Sequence, residues 1–84
     1  MVNTKLYIRA KKILLEKFKD SEILCAMTIK NGFLFSIKPK NAKDYVLDAF
    51  FKVTHEGSIE EYSPVMNPKE FRNAMNNVIY SKNK

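Results

Sequence analysis

The sequence predicts an α+β domain in which two antiparallel β-hairpins form a four-stranded sheet, flanked by an N-terminal and a C-terminal helix in the order α-β-β-β-β-α. Three observations carry this expectation. Apolar residues recur at helical spacing at both ends of the chain, β-branched and aromatic runs meet at Asn31-Gly32, and a second pair of runs meets at His55-Glu56-Gly57. With 84 residues there is room for one core, so residues 1–84 are read as a single domain with 81–84 as a frayed tail.

The first helix is expected over Thr4–Lys19. Leu6, Tyr7, Ala10, Ile13, Leu14 and Phe18 follow three- and four-residue steps on one stripe, with Lys5, Arg9, Lys12, Glu16 and Lys19 opposite. Asp20-Ser21 breaks the pattern. Ile23–Lys30 and Phe33–Lys38 then read as strands joined by Asn31-Gly32, the dipeptide suited to a type I′ turn. That loop would pair Lys30 with Phe33, Ile29 with Leu34 and Thr28 with Phe35. One face would carry Leu24, Ala26, Thr28, Phe33, Phe35 and Ile37, the other Ile23, Cys25, Met27, Ile29 and Leu34. Both faces are apolar, so something must cover the second. If both helices take one face, a homodimer covers the other, and the double-sided hairpin favours this; helices on opposite faces would let a monomer suffice.

Residues 42–50 read two ways: Asn41-Ala-Lys-Asp44 resembles a helix start, whereas the run continuing into Phe51-Lys52-Val53-Thr54 favours a strand over 47–54. A three-residue loop, His55-Glu56-Gly57, places Gly57 in the left-handed region and sets Val53 against Ile59, Lys52 against Glu60 and Phe50 against Tyr62. The C-terminal helix has an N-cap at Asn67, Pro68 in the first position, Glu70 where a capping box places it, and Met66 with Phe71 as a hydrophobic staple. Its stripe is Phe71, Ala74, Met75, Val78 and Ile79.

Composition narrows the function classes. A lone cysteine, Cys25, excludes an internal disulfide, and Lys5, Arg9, Lys11 and Lys12 interrupt any secretory h-region, so a cytoplasmic location is expected. No apolar run is long enough to span a membrane. One His, one Cys and two Gly leave no phosphate-cradling loop and no metal-ligand spacing, so no enzyme, cofactor, metal or small-molecule substrate is expected. Cys25 with His55 is the lone nucleophile–base pair on offer, and Glu60 and Glu61 point to opposite faces of a strand; Asp44 and Asp48 share a face only if their stretch is helical.

The net charge of +6 sits in residues 1–42, while 43–84 balance. Lys5, Arg9, Lys12, Lys19, Lys30, Lys38 and Lys40 therefore form a candidate nucleic-acid face, although just two of fifteen basic residues are Arg and a Lys-, Asn- and Ile-rich composition suits any AT-rich genome. The expected role is a small protein-interaction module, an adaptor, inhibitor or assembly factor of the kind phage and mobile elements encode, working through a protein partner or a second copy of itself. Met27, Ile29, Leu34, Tyr62, Val65 and Met66 form its candidate surface; nucleic-acid binding is the alternative.

Overall fold

The structure is a computed structural model, described over residues 4–40 and 49–82. It is α+β: α1 (Thr4–Lys17), β1 (Ser21–Ile29), β2 (Gly32–Pro39), β3 (Ala49–Thr54), β4 (Ile59–Glu61), α2 (Pro68–Met75) and β5 (Val78–Ser81). The strands form one antiparallel sheet in the order β4-β3-β2-β1-β5. The sheet thus has five strands, not four. The last helix stops at Met75, and Val78 and Ile79, expected on its stripe, enter β5 beside β1. Asn76 and Asn77 end the helix: their amides bond to the Asn73 and Ala74 carbonyls, and the Asn77 side chain caps the Asn73 carbonyl at 2.8 Å. Val, Ile and Tyr then follow, residues that fit a pleated surface better than a helix. Ser81 and Lys82, expected in a frayed tail, are held as well; the Lys82 amide donates to the Leu24 carbonyl at 2.9 Å.

The first hairpin closes one residue earlier than expected. Ile29 pairs with Gly32, Thr28 with Phe33 and Met27 with Leu34, so the loop is Lys30-Asn31. Gly57 is the one described residue with positive φ, which rules out a type I′ turn at Asn31-Gly32. Gly32 serves close approach instead. A Cβ there would lie 2.8 Å from Thr54 Cα and run into the Val53 carbonyl of β3. Because the shift moves each pairing by two residues, every side chain keeps its expected face. The exception is local: a bulge between Ile23 and Cys25 turns Ile23 onto the face expected for Leu24.

The second hairpin follows the expected register. Val53 pairs with Ile59 and Lys52 with Glu60, the Tyr62 amide donates to the Phe50 carbonyl at 3.0 Å, and Gly57 has φ 97°. β3 begins at Ala49, and the helix-or-strand alternative for 42–50 lies almost wholly outside the described residues.

Two cores flank the sheet. On one face α1 sets Ala10 and Leu14 on Ile23, Ala26, Phe33, Phe35, Ile37 and Val53, with Tyr7 edge-on to Phe33 at 5.7 Å between ring centres. On the other, α2 lays Phe71 and Ala74 over Met27, Leu34 and Phe50, and the Phe50 and Phe71 rings meet edge to face at 5.3 Å. The helices take opposite faces, so the second apolar face of the first hairpin is covered from within the chain.

Candidate interaction edge and basic groove

The sheet's two edges differ in chemistry. β4 has three residues, two of them Glu60 and Glu61, and Pro64 follows closely; a short, charged edge next to proline resists further pairing. β5 reads Val-Ile-Tyr-Ser and carries no charge; a bulge leaves Ile79 without a partner on β1, between the pairs Tyr80–Ala26 and Val78–Met27. Its inner side pairs with β1, and no strand in the described sheet lies beyond it. The Lys82 amide points inward to Leu24, so by alternation along an antiparallel strand the amide and carbonyl of Ser81 point to the open side. Val78 and Tyr80 are 45% and 40% exposed on either side of that edge.

A groove of about 260 Å³ runs between α1 and the end of β5. Lys11 and Leu15 of α1, Tyr80 and Lys82 from the end of β5, and Lys19, Glu22 and Lys40 line it. Lys11 and Leu15 lie one and two turns beyond Ile8 on the same flank of α1, and Ile8 is itself exposed. Glu22 binds Lys82 at 2.7 Å and Lys38 at 3.3 Å. The Lys82 hydrogen bond, with Lys38 adding to it against the cost of burial, holds the Glu22 carboxyl below its ordinary value. Lys11, Lys19 and Lys40 make no ion pair with any described residue. The groove is therefore cationic.

The basic residues singled out in the sequence do not form one face. Lys19 and Lys40 line the groove, joined there by Lys11 and Lys82, which the sequence reading did not group with them. Lys38 is tied to Glu22. Lys30 borders a separate hollow with Asn73 of α2 and Asn77 just after it. Arg9 leans over the β3–β4 turn, its Nη2 3.7 Å from where a Cβ on Gly57 would stand, and Lys5 and Lys12 are exposed on the outside of α1.

The candidate apolar surface also divides. Met27 and Leu34 are buried beneath α2, with Ile29 and Tyr62 packed against the same core, so they belong to the chain's own interior. Val65 and Met66 are 86% and 78% exposed. Met66 does not staple the helix, because Ser63 winds the loop: its hydroxyl accepts the Met66 amide and its carbonyl accepts the Asn67 side-chain amide. Asn67 makes no side-chain cap, and Glu70 is turned toward Tyr62 rather than back to the helix start.

The Tyr62 hydroxyl is enclosed and makes no hydrogen bond of good geometry among the described residues, with the Glu70 carboxylate beside it. Burial first, and Glu70 second, push the phenol from 10.0 up to about 12. The unfolded chain then releases this proton before the folded one does, so stability falls as pH rises from 10 toward 12. Tyr62→Phe removes an unsatisfied hydroxyl and is expected to leave neutral-pH stability unchanged or raise it by up to about 1 kcal/mol. Urea midpoints across that alkaline range should decline less steeply in the variant; an identical decline would show that Tyr62 ionises freely in the fold.

Cys25 and His55 are kept apart. Cys25 packs against the α2-side core, where burial raises its thiol, whereas the His55 ring stands 5.6 Å from that of Phe33 on the α1 side. Glu60 and Glu61 pair with Lys52 and Phe51 on opposite faces, and Asp44 and Asp48 lie outside the described residues. Among the described residues no three His, Cys, Asp or Glu side chains converge as metal ligands, and no helix is long and apolar enough to cross a membrane. The β5 edge itself was hidden from sequence reasoning by the assignment of Val78 and Ile79 to a helix; the Asn76-Asn77 pair before three strand-forming residues is the signal that could have revealed it. Comparison with protein-family models, characterised proteins and solved structures finds no match to this chain.

Proposed function

We propose that this chain is a small non-catalytic protein-interaction module, an adaptor, inhibitor or assembly factor, that presents the open edge of β5 to a partner. The observation that carries this reading is the contrast between the edges: β4 is acidic, while β5 is uncharged, partly exposed and has no described strand on its outer side. Beyond the bulge at Ile79, Ser81 offers outward backbone groups to an incoming strand, and no side chain of β5 carries the charge with which natural sheets ordinarily blunt an edge. The two apolar sheet faces are occupied by α1 and α2, so neither face of the sheet is open to a partner.

Peptide display tests the reading. The wild-type chain selects binders from a random library, and Ser81→Pro serves as the counter-selected bait. Proline at this site removes the outward amide and leaves the inward ladder intact, a place where edge strands tolerate it. Peptides that bind the wild type and fail on the variant are expected. If both baits select the same peptides, β5 is not the docking edge.

Nucleic-acid binding is the second reading, favoured by the four groove lysines. Fluorescence anisotropy of labelled single- and double-stranded oligonucleotides separates the two. Phosphate binding would weaken steeply between roughly 50 and 200 mM salt and survive Ser81→Pro.

A further inference from the structure

We propose that the segment received by β5 is acidic and extended: a stretch of a partner protein that adds as a sixth strand while its carboxylates enter the groove beside α1. This rests on the reading of β5 as a docking edge and adds the chemistry of what docks there. Two features meet at one place. β5 supplies the outward backbone groups of Ser81 and the exposed Val78 and Tyr80. Next to its C-terminal end, Lys11, Lys19, Lys40 and Lys82 converge on a groove whose lining holds one carboxylate, Glu22, already bonded to Lys82 and Lys38.

A strand laid along β5 has alternate side chains on the α1 side of the sheet, which is the side where Tyr80 and the groove lie. Carboxylates at those positions meet exposed lysines, so the attraction is modest for each pair, adds over four cations and weakens with salt. A basic segment would meet four like charges there. A second copy of this chain would bring its own groove lysines and a net charge of +6, which opposes close pairing at low salt. The charge pattern therefore selects an acidic partner strand over self-association.

The test uses the full chain, isotope-labelled for NMR, titrated with short blocked peptides of alternating valine with glutamate, glutamine or lysine. With the glutamate peptide, the amides of residues 78–82 are expected to shift and gain protection from hydrogen exchange. Lys11→Glu with Lys19→Glu should weaken that binding about tenfold, as two exposed attractions become repulsions, and Ser81→Pro should abolish it while the rest of the spectrum keeps its dispersion. Equal binding of the glutamine peptide would overturn the acidic preference and leave the docking edge standing. If no peptide moves the β5 amides and an oligonucleotide moves the groove lysines, the edge reading falls too. Shifts at β5 that grow with protein concentration alone, together with a doubled sedimentation mass, would make a second copy the occupant and overturn the proposal.

Discussion

Gly32→Ala is expected to cost about 3 kcal/mol and to lower the melting temperature by about 15 °C, the usual yield of such a loss in a domain of this size. The reason is backbone against backbone. The added methyl would sit 2.8 Å from Thr54 Cα and collide with the Val53 carbonyl, and neither can rotate away as a side-chain end can. Relief requires β3 to move off β2 at the pair Gly32–Thr54, next to the pair that holds Phe33 against Val53 in the core. Gly57→Ala is the control. Gly57 has φ 97°, which costs an L-residue roughly 1–2 kcal/mol, yet its Cβ would meet Ile13 Cδ1 at an ordinary 3.4 Å. Urea unfolding of both variants measures the difference. If Gly57→Ala proves the more damaging, β3 does not approach β2 as closely as described.

That contrast shows why the sequence reveals turns better than it reveals their reasons. Asn31-Gly32 correctly marks a hairpin, but its glycine answers to Val53 and Thr54 of β3, which no local window around position 32 contains; of the two glycines, Gly57 is the one there for its own backbone angle. Helical and strand periodicities identify α1, both hairpins and the start of α2, because each buries one stripe against the sheet and local spacing records it. The end of α2 is different. Val78 and Ile79 continue the spacing of Phe71, Ala74 and Met75, so a helical stripe and a strand are both consistent with the residues. What decides is β1, which runs nine residues between β2 on one side and an otherwise empty edge on the other. Pairing satisfies backbone groups that a longer α2 would leave open.

The same long-range choice conceals the candidate site. The edge exists only once Val78–Ser81 is a strand, and the groove only once Lys11 of α1, Lys40 after β2 and Lys82 after β5 are brought to one end of the sheet. Counting lysines along the chain correctly finds an excess of positive charge in the first half, but it groups Lys30 and Arg9 with Lys19, and the fold sends them to other sides. Charge totals survive folding; charge neighbourhoods are made by it.

Met27→Asp is expected to remove most of the stability of the domain. A carboxylate in place of Met27 lies beneath α2, among Leu34 and Ala74, with no described cation in that core to pair with it. Burying an unpaired charge costs on the order of 4 kcal/mol or more in practice, against a total of roughly 4–12 kcal/mol for a chain of 84 residues. The outcome also decides what covers this face. If α2 alone covers it, wild-type unfolding is independent of protein concentration, and the variant is largely unfolded or exposes hydrophobic surface to a dye at every concentration. A variant that stays folded as a monomer while the wild type sediments as a dimer would mean that Met27 faces a second chain. Phe71→Ala supplies the complementary measurement: it thins the cover from the helix side, where Phe71 stands edge-on to Phe50 at 5.3 Å. A loss of about 3 kcal/mol, unaltered by protein concentration, places the cover within the chain. It then removes this sheet face from the surfaces open to a partner, as the proposed use of the β5 edge requires.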